Sequence, residues 1–585
     1  MTIRTALGVL CASLWIAGAA AQTIPEQNPP AQAEQPKNNP AKPSDAKPSD
    51  AKPAGAKPAR EIPPDSKAYS EALATKEPDK KIAALEKFKQ DFPNSPMRSL
   101  ADPAILSAML HQKPLDAQRI HNFADTMYRT AEPKNRGSAA NEIAVTYLNN
   151  DLYLRDAERY ARRSVESMRL SEYIDEQMAS FAKRKQKAPS PEELQKRFGN
   201  DRASRLAVLG RIEVKLGHTA KGQKMLEESY AVNSKNMVVA AVLGELAFKA
   251  GDDAKALEFL IPARLSGRPD KNANDALESI YRKSHNGSAD GLEAMLDTEY
   301  RKRFPNPLEL VAYKPTENRS DRVVLGEVFT GSGCPPCVGA DLAFDAAMER
   351  YSRKELAVVM YHQHIPRPDP MTNPDTQARA KSYSVSGVPT FAIDGEKTVG
   401  GGSRENTKQI YERFNKTIEK DLESPAEAAL HAEASLTGNK VRVRASVESI
   451  RSESKDLKVQ ILLVEKELHY GGENGVRFHP MVVRAMAGEK GEGFALDPGA
   501  NTGFEHTFDL DAVSKALRAH LDDYEAKGHR GETFTFIEKK DRINRNNLAV
   551  VVFVQDDKSK HVLQATYIDL GQEPAHPVTE PNGQR

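Results

Sequence analysis

Once its N-terminal leader is set aside, this chain keeps only two of its three cysteines, Cys334 and Cys337, and has no others with which to staple itself. Its 585 residues are long enough for about three or four domains of 100 to 200 residues. Each must therefore be held by an apolar core. The pair itself stands as Cys334-Pro335-Pro336-Cys337, directly after the strand-like run 323–330. Two thiols at that spacing, where a strand gives way to a helix, close a small ring that can be opened and remade. Thiol–disulfide exchange is the chemistry this placement predicts.

The third cysteine, Cys11, lies between Arg4, a positive n-region, and the small residues Ala19-Ala20-Ala21, with the apolar run 6–16 around it. Residues 1–21 thus read as a secretory signal, with an uncleaved anchor as the alternative. The apolar run is shorter than the roughly 20 residues a membrane span needs. The expected compartment is periplasmic or extracellular, where disulfides form. No other segment reaches spanning length, so no membrane span is expected in the mature chain. Lys and Arg number 83 against 82 Asp and Glu, and a net charge of +1 leaves no electrostatic footprint for nucleic acid. Residues 22–67 are rich in Pro, Ala and Lys, with Lys42, Lys47, Lys52 and Lys57 each before a proline. Such a segment has little to bury and is expected to be a disordered, extended linker; residues 571–585 are likewise expected to be a disordered tail.

Residues 68–310 change to helix-forming composition with apolar positions at helical spacing. Leu209-Gly210 recurs at Leu243-Gly244, Gly217 at Gly251, Ala220 at Ala254 and Leu226 at Leu260, each 34 residues on. That period, with small residues where two helices approach and Gly at the turn, resembles the tetratricopeptide repeat. The resemblance implies stacked helix pairs that bind a protein partner. From 425 to 570 the period shortens to two: the 430–436 and 441–447 runs flank Thr437-Gly438-Asn439 as a hairpin. Further strands are predicted at 457–464, 481–486, 504–508, 534–537, 548–554 and 562–568, with one amphipathic helix carrying Leu510, Val513, Leu517, Leu521 and Tyr524. This pattern predicts a C-terminal antiparallel β-sandwich.

Between these parts, residues 321–422 alternate strand and helix. The runs 323–330, 356–361, 390–393 and 397–399 read as strands, the last two as a hairpin about Asp394-Gly395; 338–350, 375–383 and 403–420 read as helices, the last capped by Ser403. With CxxC before the first helix and Gly387-Val388-Pro389-Thr390 before the hairpin, this stretch resembles the thioredoxin fold. The resemblance implies a redox-active disulfide in which Cys334 attacks and Cys337 resolves. It implies a cis bond before Pro389, with Gly333, Val388 and Pro389 lining the side where substrate binds. It also makes Glu327, the one acid in the first strand, the proton acceptor for the resolving thiol. Gly333 stands where the family carries tryptophan, so the client is expected to be a dedicated one.

The predicted architecture is therefore multidomain: an α-helical tetratricopeptide-like array, an α/β thioredoxin-like domain and an antiparallel sandwich. The predicted function is an exported thiol–disulfide oxidoreductase for protein clients or a redox partner protein, with no cofactor. Two other readings compete. One is a non-catalytic protein-binding scaffold or adaptor. The other is a copper- or zinc-binding chaperone in which His362 and His364, two apart at a strand end, join the two thiolates.

Overall fold

A computed structural model describes residues 63–267, 270–497, 502–529 and 533–571. The leader, nearly all of the linker and the tail lie outside the described residues. Among the described residues, thirteen α-helices come first, from α1 (Pro64–Ala74) to α13 (Leu292–Arg303), and a mixed-sheet region follows. No helix among them is long and apolar enough to cross a membrane.

The glycines spaced 34 residues apart fall at helix contacts and turns of the array. Helices α8 (Pro191–Lys215) and α9 (Thr219–Val232) pack as one hairpin, α10 (Met237–Lys249) and α11 (Asp253–Leu265) as the next. A Cβ on Gly210 would lie 3.0 Å from Leu226 Cγ, and one on Gly244 would lie 2.6 Å from Leu260 Cγ. Glycine lets each helix pair close to that distance. Gly217 and Gly251 take φ of 86° and 81° in the connecting turns, a left-handed conformation that favours glycine.

The sheet region begins with β1 (Val324–Thr330), which pairs parallel with β2 (Leu356–His362) and antiparallel with β3 (Thr390–Ile393); β4 (Glu396–Val399) completes a hairpin with β3. Between them lie α14 (Val338–Arg350), α15 (Pro374–Ser382) and, after a one-turn helix capped by Ser403, α16 (Thr407–Glu423). Val324, Val328, Val358 and Met360 bury one face of this sheet against Ala343 and Phe344 of α14 and Ile410 and Phe414 of α16. Leu325, Phe329, Val359 and Tyr361 bury the other.

Downstream come the hairpin β5 (Ala429–Thr437) and β6 (Lys440–Glu448), then β7 (Leu457–His469), β8 (Phe478–Met486), β9 (Phe494–Ala495), β10 (Gly503–Asp509), α17 (Leu510–Lys527), β11 (Leu548–Asp556) and β12 (Val562–Asp569). Here the expected sandwich needs correction. Strand β8 pairs parallel with β2 at Met360 and Val482, so one mixed nine-stranded sheet runs in the order β12-β11-β7-β8-β2-β1-β3-β4, with β9 on β7. Only β10-β6-β5 forms a separate antiparallel sheet, packed through Val441, Val443 and Phe504 on Val459, Ile461 and Val552 of the large one.

The large sheet also curls, bringing Val551, Phe553 and Ala565 into the core of Leu325, Phe329 and Tyr361. Val562 N–H donates to the Asp394 carbonyl at 3.1 Å. Buried Arg322 ties the same edge together, donating to Asp394 Oδ2 at 2.9 Å and to the Val562 carbonyl at 2.7 Å. The predicted strand 534–537 is irregular backbone instead. Its alternation places Phe534 and Phe536 against Tyr524 of α17, 5.6 and 6.4 Å between ring centres, without a strand partner.

Candidate functional site

Cys334 and Cys337 are joined as a disulfide. Residues 335–337 form a single 3-10 turn that leads into α14, with Cys334 as its N-cap. Pro335 occupies the first position of that turn, where no intrahelical donor is needed. The turn is pinned from the side by a glycine run: Gly402 N–H donates to the Pro336 carbonyl, and Gly339 N–H to the Gly402 carbonyl, each at 2.8 Å. A Cβ on Gly401 would lie 2.1 Å from Pro336 O and 2.3 Å from Pro389 Cγ. The Val388–Pro389 bond is cis, and the Val388 carbonyl oxygen lies 3.7 Å from Cys334 Sγ. Cys334, Cys337, Val388 and Pro389 therefore meet at one point, with Gly400 to Gly402 as residues the sequence reading did not single out. Three consecutive glycines ahead of a helix were the available signal.

Cys334, the expected nucleophile, is only 1% exposed, and Cys337 is fully buried. Two loops cover them. One, between β2 and α15, sets Arg367 Cβ 2.6 Å from where a Cβ of Gly333 would be, and Ile365 O 2.5 Å from one of Gly331. Gly333 is thus a close-packing position beneath the cover. The other loop joins β7 to β8: Asn474 N–H donates to the Ser332 carbonyl at 3.0 Å, and its side-chain amide reaches the carbonyls of Gly331 and Cys334 at 3.4 and 3.3 Å. Arg367 and Glu473 approach to 3.7 Å and bridge the two loops. The second loop is held in turn by the helical array. Tyr300 OH donates to the Gly475 carbonyl at 2.9 Å, and Arg477 pairs with Glu293 and Asp297 of α13, each at 2.6 Å.

Glu327 is not beneath the cysteines. It stands an odd number of residues from Val324 and Val328, which face α14, and so lies on the opposite face of β1 with Leu325 and Phe329. There it is fully buried and saturated. Arg379 pairs with it at 2.8 Å, Tyr361 OH donates to it at 2.9 Å, and Tyr383 OH donates to its other oxygen. Gln555 closes the network onto Tyr383 at 3.0 Å and onto Arg379 at 2.8 Å.

The α14 side carries a different polar group. Asp341, four residues past Cys337, lies buried beside Thr330 with Oδ1 unpartnered, and burial pushes its carboxyl up to about 7. Thr330 faces His362 across β1 and β2. His362 Nδ1–H donates to Asp369 Oδ2 at 2.9 Å, since a carboxylate only accepts. Asp369 also accepts from the amides of Ser332 at 2.6 Å and Met371 at 2.8 Å. Its carboxyl sits below the ordinary range although burial opposes this, because His362 and the amide donors favour the charged form.

His362 and His364 do not act together. The strand ends at His362, and His364 turns away to stack on Tyr524 at 3.6 Å, with burial pushing it down to about 3. Among the described residues no three His, Cys, Asp or Glu side chains converge as a metal site.

No family model, curated protein or solved structure matches the chain. What this site does must follow from its own atoms.

Proposed function

We propose that the chain is an exported thiol–disulfide oxidoreductase of thioredoxin-like build that exchanges disulfides with a protein client or redox partner. One observation carries this reading: a closed CxxC ring at the head of a helix, with the Val388 carbonyl 3.7 Å from the sulfur of its first cysteine. An extended client segment could pair with backbone at that carbonyl, as an added strand does. In the reduced protein, the Cys334 thiolate would attack a client disulfide. One client sulfur leaves as a thiol and the other is held in a mixed disulfide. The Cys337 thiolate then displaces it, leaving the client a dithiol and the pair oxidised, to be reduced again by an external dithiol. The helical hairpins, tetratricopeptide-like in their 34-residue period, supply a surface for the partner, and their last helix holds the loop over the site.

Cys337→Ser tests this directly. Clients should accumulate as reducible adducts on the variant, and Cys334→Ser in the same chain should abolish them. Absence of any Cys334-dependent adduct sinks the proposal.

Burial favours a second reading, a scaffold whose disulfide stays shut, because Cys334 is 1% exposed. A pair that glutathione at its physiological poise never opens supports the scaffold; one that equilibrates with glutathione supports the oxidoreductase.

A further inference from the structure

The loop between β2 and α15 is tied down at both ends. Gln363 N–H donates to the Thr330 carbonyl at 2.9 Å, and Asp369 Oδ2 accepts from the amide of Ser332, two residues before Cys334. Between those ties the loop lies over Gly331 and Gly333, and so over the disulfide. One side chain closes it on itself: Asp369 N–H donates to His364 Nδ1 at 3.0 Å. An imidazole nitrogen that accepts carries no proton, so the neutral ring keeps its hydrogen on Nε2. That nitrogen is buried and has no partner.

Nothing around the ring is arranged to receive a second proton. It would have to bind at Nδ1, where it meets the Asp369 N–H. From α17, Tyr524 stacks on His364 at 3.6 Å and His520 lies parallel at 5.5 Å, with its own Nε2 buried and unpartnered; Phe536 lies 6.3 Å away. Burial is the largest influence on His364 and lowers it, and His520 and His529 lower it further. Only Asp369 favours the charged ring, and its carboxylate is already taken by His362 and two amides. His520 is itself lowered by burial, with Asp523 and Lys527 of α17 acting on it in opposite directions. His529 bonds Tyr524 OH through Nδ1 at 2.8 Å, and Arg367 of the loop faces Glu473.

We propose that residues 364–369 form an acid-released latch over the disulfide: a proton on His364 breaks its bond to the Asp369 amide, frees the loop from α17 and uncovers Cys334. Its use in exchange rests on the oxidoreductase reading above. The closed loop holds His364 at about 3, whereas a ring released to solvent takes its ordinary value of 6.5. The open loop therefore binds the extra proton. The latch is at full strength above pH 6.5 and weakens roughly tenfold for each pH unit below it, until the closed ring itself titrates.

The test times reduction of the oxidised full mature chain by a water-soluble phosphine from pH 7.5 to 5, for the wild type and His364→Asn. The Asn side-chain oxygen can accept from the Asp369 amide but does not titrate, and the ratio of the two rates at each pH cancels the titration of the reagent. The ratio of wild type to variant should rise roughly 10-fold from pH 7 to pH 5.5. A ratio flat across that range overturns the latch and leaves the redox reading standing. A disulfide that the phosphine opens in neither protein at any pH overturns both. The wild type alone decides if the Asn variant fails to fold: followed by NMR, the His364 ring should remain neutral at pH 6, and titration at its ordinary value overturns the latch.

Discussion

Two buried carboxylates lie on opposite sides of β1, and the protein treats them differently. Glu327 accepts from Arg379, Tyr361 and Tyr383 and has no capacity left. Asp341 keeps an unpartnered oxygen beside an unpartnered Thr330 hydroxyl. A saturated network in a low-dielectric interior fixes structure; an unsaturated one holds a charge state in balance, and groups so poised concentrate at functional sites. The Glu327 network ties β1 to α15 and β11 through Arg379 and Gln555.

The contrast breaks most visibly at Arg379. Replacing it with Met leaves Glu327 charged and buried without its partner, which costs about 3–5 kcal/mol and should appear as a large fall in the urea midpoint. Glu327→Leu combined with Arg379→Met removes both charges and should recover most of that loss.

Asp341 makes the opposite prediction. Its carboxyl is raised from 3.8 to about 7, so the folded state keeps a proton that the unfolded chain has lost. Stability tied to this group is therefore full at low pH and falls as pH rises from about 4 to 7. Asp341→Asn should remove that part of the fall. In the oxidised protein, where the cysteines do not titrate, the variant should gain on the wild type above pH 7, by at most ~4 kcal/mol. Asp345 and Asp394, each raised to about 6, shape the wild-type curve in the same direction, so the difference between the two proteins is the quantity to read. Parallel curves from pH 4 to 8 would mean that Asp341 is not held near neutrality.

Much of this arrangement was legible because it is local. The hairpin about Asp394-Gly395, the Ser403 cap, the CxxC at the head of α14 and the glycines of α8 and α10 each declare themselves within a few residues. What escaped depends on pairing across long separations. The β2–β8 contact joins residues 360 and 482 and turns an expected sandwich into an extension of the central sheet. The run 548–554, apolar at every position, carried a hint, since strands buried on both faces do not alternate. Glu327 faces away from α14 because side chains alternate along β1, so one position decides the face. The cover over Cys334 could not be read at all, because Arg367 and Asn474 belong to separate loops and meet only in the folded chain.

That cover sharpens the comparison at its weakest point. The Arg367–Glu473 bridge is 63% and 44% exposed, and a pair so exposed contributes under about 1 kcal/mol. Glu473→Ala should therefore leave thermal unfolding almost unchanged. It should still ease the local opening that uncovers Cys334, and a change of up to about 1 kcal/mol in that opening means reduction of the disulfide by a small phosphine faster by as much as about 5-fold. Pro335 and Pro336 are already exposed, so chain motion at the turn itself is not what the loops restrain. Arg477→Ala should act in the same direction from the far side, because it frees the second loop from Glu293 and Asp297 of the array. If both variants react at the wild-type rate, the loops do not govern access, and the buried state of Cys334 reflects only the tight turn beneath them.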